Sequence, residues 1–85
     1  MKWWRKAAEQ GNAKAQRNLG LMYAKGKGVT QNNVYAHMWF NIVAANGDKD
    51  AQKNRDIVAK RMTPADISKA QELARQCVRK KYKGC

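Results

Sequence analysis

The sequence predicts an all-α fold, an α/α superhelical solenoid of antiparallel helix pairs in one 85-residue domain. Ala is abundant, Val, Ile and Thr are few and scattered, and no long stretch alternates apolar and polar residues, which favours helices over strands. The chain also repeats itself: an offset of 36 residues (39 − 3) places Trp39 on Trp3 and aligns equal or similar residues over roughly sixteen positions. A repeat period of this length is typical of helical solenoids.

The turn within each repeat has a physical explanation. Gly11 and Gly47 occupy equivalent positions, and Asn12 or Asp48 follows. Gly can adopt the left-handed conformation that ends one helix, and the side-chain oxygen of Asn or Asp can cap the next. A reversal this short makes two helices antiparallel. Small residues then let the helices approach, namely Ala15, Gly20 and Ala51, while Leu19, Met22 and Tyr23 fill the seam.

The predicted helices follow from these signals in chain order. A loop rich in Gly, residues 26–31, separates the second helix from the third. Thr63 is a suitable N-cap for the last helix, and Pro64 suits its first position. That helix carries an apolar stripe at helical spacing, which must pack on the preceding helices: Ala65, Ile67, Ala70, Leu73, Ala74 and Cys77. The five predicted helices cover residues 3–11, 13–25, 32–47, 48–62 and 64–81.

Two runs carry a family pattern. Residues 15–29 read AQRNLGLMYAKGKGV, and residues 36–47 read AHMWFNIVAANG. The first run resembles the first helix and loop of a Sel1-like repeat, and the second run resembles its second helix. The resemblance implies a solenoid related to tetratricopeptide repeats. Such proteins act as adaptors or scaffolds in signalling, protein quality control and bacterial virulence or envelope processes, and neither catalysis nor a cofactor is implied.

The resemblance also divides the single domain 1–85. Residues 3–11 would end a preceding repeat, 13–47 form one full repeat, 48–62 form a degenerate repeat helix, and 63–82 form a C-terminal capping helix. The degenerate helix has Arg55 and Asp56 at the positions equivalent to Leu19 and Gly20, so its packing must differ. The hallmark residues of the family are structural and are expected in the core: Ala15, Leu19, Gly20, Met22, Tyr23, Gly26, Gly28, Ala36, Trp39, Phe40, Ala44 and Gly47.

The two cysteines, Cys77 and Cys85, lie close together near the C-terminus, whereas secreted disulfide scaffolds spread their cysteines through the chain. We interpret them as two reduced thiols. The alternative is a bridge between them, which would close only a short loop. The cysteine-rich secreted branch of the family pairs cysteines within every repeat, and this chain has none at those places. The penicillin-binding or lactamase-like activity suggested for that branch is therefore not implied here.

The formal charge is +12, with 18 Lys and Arg against 6 Asp and Glu. Such an excess predicts affinity for acidic partners: nucleic acid, anionic lipid or an acidic protein face. The basic run at residues 75–83 fits a nucleic-acid or membrane-surface patch, but cations also complement the dipole at a helix C-terminus. The sequence shows no DNA-reading helix-turn-helix, zinc pattern or aromatic RNA-binding motif, which leaves only weak, nonspecific nucleic-acid binding. It also contains no apolar run approaching the roughly 20 residues that span a bilayer.

Equivalent positions on stacked helices are neighbours, and the first helix of each pair lines the concave face in such solenoids. The 36-residue offset pairs Arg17 with Lys53, and Lys25 with Arg61. The same offset pairs Leu21 with Ile57. The two basic pairs would then flank this apolar pair, which suits an acidic, partly apolar peptide or helix. The alternative is a set of solvated surface charges. The candidate partner-binding residues are Lys14, Arg17, Leu21, Lys25, Lys53, Ile57 and Arg61.

We also consider the single histidine and the N-terminal part of the sequence as possible sites. His37 is the sole histidine, without a partner at a telling spacing for catalysis or metal binding, so no catalytic, cofactor or metal site is predicted. Trp3 and Trp4 would be partly exposed if a preceding repeat is missing, which favours self-association or a partner there. The chain opens within a repeat, as a piece of a longer protein would, and has no signal-peptide pattern, so its compartment stays open.

These observations lead to one hypothesis and two alternatives. The hypothesis is a non-catalytic protein-binding adaptor with a concave face biased toward acidic partners. One alternative is a basic nucleic-acid-associated protein that binds by charge. The other is an inactive remnant of a larger repeat protein.

Overall fold

The computed structural model describes the backbone of residues 2–85 and the side chains of residues 5–85. This part of the chain forms five helices and no strand, which confirms the all-α fold class. The domain measures 30 × 26 × 23 Å along its principal axes. The helices are α1 (Lys2–Glu9), α2 (Ala13–Lys25), α3 (Asn33–Ala45), α4 (Lys49–Ala59) and α5 (Pro64–Arg79).

Helix α3 lies at the centre of the domain. It packs against α2, α4 and α5, while α1 packs against α2. Its sequence is apolar nearly all round, as expected for a helix with neighbours on several sides. Its buried residues are Ala36, His37, Met38, Trp39, Phe40, Ile42, Val43 and Ala44.

The predicted turn chemistry is confirmed at both equivalent positions. Gly11 and Gly47 have φ angles of +87° and +96°, in the left-handed region. The Oδ1 atom of Asn12 accepts a hydrogen bond from the Ala15 N–H at 2.9 Å, and Asp48 accepts one from the Ala51 N–H at 2.9 Å. The predicted helix ends at 11 and 47 are wrong, because α1 ends at Glu9 and α3 at Ala45, before the turns that contain these glycines.

The close approach predicted at Gly20 is present. A Cβ atom placed on Gly20 would lie 2.6 Å from Cε1 of Phe40, so the aromatic ring of α3 occupies the space that a side chain on α2 would need. Leu19 and Phe40 are both fully buried beside this contact. One part of the predicted core is wrong, because three of the hallmark glycines lie in exposed turns rather than in the core: Gly26, Gly28 and Gly47.

The packing of α4 differs from that of α2, as its sequence predicts. Arg55, which stands at the position equivalent to Leu19, is not buried in the apolar core. Its guanidinium group donates to Oδ1 of Asn41 on α3 at 3.3 Å and forms an ion pair with Asp56. Ala51 and Val58 are the buried residues of α4. The helix ends at Ala59 rather than at residue 62.

The last helix begins as predicted and ends earlier than predicted. The Thr63 hydroxyl accepts from the Asp66 N–H at 3.1 Å, and Pro64 occupies the first turn. Helix α5 ends at Arg79, and left-handed backbone at residues 81 and 82 turns the chain back. This turn brings Cys85 to a Cα–Cα distance of 5.7 Å from Cys77, and the two form a disulfide. The interpretation of both cysteines as reduced thiols is therefore wrong, and the alternative bridge is present.

Candidate functional site

The first candidate site is a groove between α2 and α4. It encloses about 200 Å³. We call it the α2/α4 groove, and its lining residues are Leu21, Ala24, Lys25, Phe40, Asn54, Ile57, Val58 and Arg61.

The floor of the α2/α4 groove is apolar and rigidly held. Phe40 of α3 is 1% exposed, and Val58 of α4 is also buried. Ile57 stands on the wall and is 52% exposed, so it leaves apolar surface open to water beside this floor. A ligand that covers Ile57 would therefore remove apolar surface from water without displacing any core residue.

Two cations stand at one end of this groove. Lys25 is the last residue of α2, and Arg61 follows the last turn of α4. Both are exposed, and no Asp or Glu is among the lining residues. The groove thus combines an apolar floor with positive charge, which suits a ligand that carries both an apolar group and a carboxylate.

The structure brings together four of the seven predicted partner-binding residues. Leu21, Lys25, Ile57 and Arg61 all line the α2/α4 groove. The other three, Lys14, Arg17 and Lys53, are not among its lining residues.

Arg17 has a structural partner. Its Nη1 atom lies 3.0 Å from Oδ2 of Asp48 and 4.0 Å from Oδ2 of Asp50, and its side chain is 29% exposed. Because Asp48 also caps α4, this ion pair joins α2 to the first turn of α4. Lys14 and Lys53 are exposed, as their sequence pattern allows.

Sequence reasoning missed half of the groove. Ala24 and Asn54 lie beside predicted residues, and helical spacing from Leu21 and Ile57 could have found them. Phe40 and Val58 form the floor. Phe40 was expected only as a core residue, and a buried residue at the base of a groove gives no separate sequence signal.

A second groove lies between α3 and α5. The sequence did not predict a groove there, although two of its lining residues, Arg75 and Arg79, belong to the basic run at residues 75–83. It encloses about 370 Å³. We call it the α3/α5 groove, and its lining residues are Asn41, Ile42, Ala45, Ala74, Arg75, Val78 and Arg79.

His37 is placed where it cannot act on a ligand from solvent. The residue is 3% exposed on α3, and its Nδ1 atom has no hydrogen-bond partner among residues 5–85. Burial lowers the pKa of His37 below its ordinary value, the charge of Arg55 lowers it further, and Asp56 opposes this. Among the described residues there is no group of three His, Cys, Asp or Glu side chains that could hold a metal ion.

Two further observations concern membranes and the N-terminus. None of the described helices is both long enough and apolar enough to cross a membrane. The side chains of Trp3 and Trp4, on which predicted self-association depends, lie outside the described residues.

Stacked helix pairs with a groove between two equivalent helices define an α/α repeat protein. Comparison with known proteins identifies the family of the chain. A profile of the Sel1 repeat family matches residues 1–12 and 13–48, which is more than half of the chain. The chain belongs to the Sel1 repeat family.

Two relatives support this assignment. The chitin synthase regulator SKT5 of Saccharomyces cerevisiae (strain ATCC 204508 / S288c) is 45% identical over 49 residues, which are 58% of this chain and 7% of that protein. A crystal structure of a protective antigen from uropathogenic Escherichia coli strains, described as displaying an SLR fold, matches with a TM-score of 0.86 and 34% identity. The match covers 94% of this chain and 18% of the antigen chain.

The chain thus spans a small fraction of either relative. The family and the fold together indicate a protein–protein interaction module, built on a scaffold that is known for binding rather than for catalysis.

Proposed function

We propose that this chain is a non-catalytic adaptor module whose α2/α4 groove binds an acidic, partly apolar segment of another protein. The observation that carries the proposal is the lining of the groove. An exposed Ile57 stands above a buried aromatic floor, with Lys25 and Arg61 at one end and no acid in the lining.

The apolar contribution comes from Ile57 and its neighbours. Full burial of an aliphatic side chain contributes about 1.5–3 kcal/mol, and Ile57 is about half exposed in the free protein. Its covering would therefore contribute roughly 1 kcal/mol. Leu21, half-buried on the opposite wall, adds to the same surface. This contribution does not depend on salt concentration in the way that charge contacts do.

The charge contribution comes from Lys25 and Arg61. Both are exposed, so each contact with a carboxylate is expected to contribute only about 0–1 kcal/mol. Charge of one sign also speeds the encounter and disfavours basic partners. Affinity is therefore expected to fall with added salt, but not to vanish, because the apolar contacts persist.

Peptide display on the full chain tests the proposal. Peptides selected on the wild-type protein are expected to combine Asp or Glu with Leu, Ile, Phe or Trp. A labelled selected peptide should lose affinity by about fivefold or more for Ile57→Asp and for Arg61→Glu, because each change removes a contact of up to about 1 kcal/mol and adds a negative charge that repels the peptide. Lys69→Glu on α5 is the matched control, because Lys69 is exposed and lies in neither groove. Equal affinity for all four proteins would contradict the proposal.

Nonspecific nucleic-acid binding is the second candidate, favoured by the formal charge of +12. It predicts tight binding of a random DNA duplex with a steep dependence on salt concentration. Under that function, Arg61→Glu and Lys69→Glu would weaken duplex binding equally, because each replaces one cation with an anion. Ile57→Asp, which adds one negative charge, would weaken duplex binding less. If the peptide binds in the α2/α4 groove, Ile57→Asp and Arg61→Glu should weaken its binding, whereas Lys69→Glu should leave it unchanged.

A further inference from the structure

The α3/α5 groove faces away from the α2/α4 groove. Phe40 of α3 forms the floor of the α2/α4 groove, whereas Ile42 and Ala45 of the same helix line the α3/α5 groove. Successive residues of an α-helix are about 100° apart around its axis, so Ile42 and Ala45 point about 140–160° away from Phe40. The two grooves share no lining residue. A ligand of one groove therefore leaves the other free.

The α3/α5 groove follows the helix axes for at least one turn. Its α5 wall contains two pairs of residues four positions apart, Ala74 with Val78 and Arg75 with Arg79. Residues at this spacing stand one above the other on a helix face, about 6 Å apart along the axis. An apolar row therefore runs beside a cationic row. Val78 is 52% exposed, so the apolar row is open to a partner.

The charges of this groove are of one sign. Arg75 and Arg79 are exposed, and the lining contains no acid. The guanidinium group of Arg75 already hydrogen-bonds to the carboxylate of Glu72, one turn earlier on the same helix, so a carboxylate fits beside this row. Arg79 has no ion pair among the described residues. The charge complement of the groove is an acidic partner.

The apolar floor favours a helical partner over an extended one. An extended peptide would place backbone N–H and C=O groups against the floor, where Asn41 supplies the only uncharged polar side chain in the lining. A helix satisfies its own backbone hydrogen bonds and presents only side chains. A ridge of side chains from such a helix can also enter the groove between two packed helices.

We propose that the α3/α5 groove is a second protein-binding surface, whose partner is an amphipathic helix with an apolar row beside two carboxylates four residues apart. The carboxylates of the partner helix contact Arg75 and Arg79. The apolar row of the partner helix covers Val78 and lies between Ile42 and Ala74. This surface does not depend on the function proposed for the α2/α4 groove. It gives the small domain two separate faces for partners, which is the property that an adaptor needs.

The probe is a labelled synthetic helix of about 18 residues, long enough to be partly helical in water, with Leu and Glu rows at four-residue spacing. A matched probe has Lys in place of each Glu, and a third has Ser in place of each Leu. Anisotropy titrations use the full chain and the variants Val78→Asp, Arg79→Glu, Lys69→Glu and Ile57→Asp. Val78 and Arg79 are exposed, and circular dichroism checks that each variant is folded.

The proposal predicts that the Glu–Leu helix binds the wild-type chain and Lys69→Glu with equal affinity, and loses about tenfold or more for Val78→Asp and for Arg79→Glu. Both matched probes should bind at least tenfold more weakly. Equal binding of the Ser-bearing helix would show attraction by charge alone and would overturn the proposal. So would a loss of affinity in Ile57→Asp with none in Val78→Asp, because the helix would then occupy the α2/α4 groove.

Discussion

Substitution of Gly20 by Ala tests how the α2/α4 groove obtains its floor. In an exposed helix interior this change stabilises a protein by about 1 kcal/mol, because Gly has more conformational freedom in the unfolded chain. Here the added Cβ would lie 2.6 Å from Cε1 and 2.7 Å from Cδ1 of Phe40. The ring cannot simply rotate away, because Phe40 is only 1% exposed and is enclosed by the core.

The two effects oppose each other, and we expect the clash to be larger. Overpacking of a well-filled core costs about 1–3 kcal/mol. Because the ring is enclosed, we expect a cost at the upper end of this range, about 2–3 kcal/mol. After subtraction of the helix-propensity gain of about 1 kcal/mol, Gly20→Ala should lower the free energy of unfolding by about 1–2 kcal/mol. For a domain of this size the melting temperature should then fall by roughly 4–16 °C.

Urea unfolding of a double-mutant cycle with Phe40→Leu separates the two effects. In the Phe40→Leu background the smaller side chain leaves room, so Gly20→Ala should become stabilising by up to about 1 kcal/mol. The coupling between the two sites should be about 2–3 kcal/mol. If Gly20→Ala alone is as stable as the wild-type chain or more so, the close approach of α2 to Phe40 is not what the structure indicates.

Three further predictions concern the ends and the interior of the helices. Asp48→Ala should lower the free energy of unfolding by about 1–2 kcal/mol, because it loses both the cap at Ala51 and the ion pair with Arg17. Asp48→Asn keeps the cap and should lower the free energy of unfolding by only about 0–1 kcal/mol. Equal losses for the two variants in urea unfolding would contradict the capping role. Because burial lowers the pKa of His37 in the folded state below 6.5, the unfolded chain takes up the proton first, so stability should decline as pH falls below 6.5 and be flat above it. His37→Gln should remove this decline between pH 7 and pH 5, and an unchanged profile would refute the assignment. Cys85→Ser should cost about 2–3 kcal/mol in oxidising buffer, since the disulfide closes a loop across a sequence separation of 8. A reductant should lower the wild-type chain to the same level, and equal stability of the oxidised wild type and the variant would argue against the bridge.

The repeat made the helix pairs predictable because its signals are local. A Gly followed by Asn or Asp specifies a turn and a cap within a few residues, and the structure shows both at Gly11 and Gly47. The offset that aligns Leu21 with Ile57 also placed these two residues on one groove. The division of the chain into one full and two partial repeats stays a prediction.

The rest depended on contacts that sequence spacing does not encode. Arg17 occupies a position equivalent to Lys53, but Asp48 lies close enough to bind it, and this pairing depends on how α2 and α4 are placed in space. The α3/α5 groove arises because α5 packs on α3, so residues over thirty positions apart in sequence share one surface. The disulfide likewise depends on the left-handed turn after α5. The sequence does not predict this turn, because residues 81 and 82 are not Gly.

Chemical-shift mapping of a display-selected acidic peptide on the isotopically labelled full chain shows whether the partner occupies the α2/α4 groove. We expect the largest shifts on Leu21, Lys25, Ile57 and Arg61, and we expect them to be lost in Ile57→Asp while the spectrum stays that of a folded chain. Shifts spread over all exposed Lys and Arg residues, or confined to surfaces outside the α2/α4 groove, would contradict it.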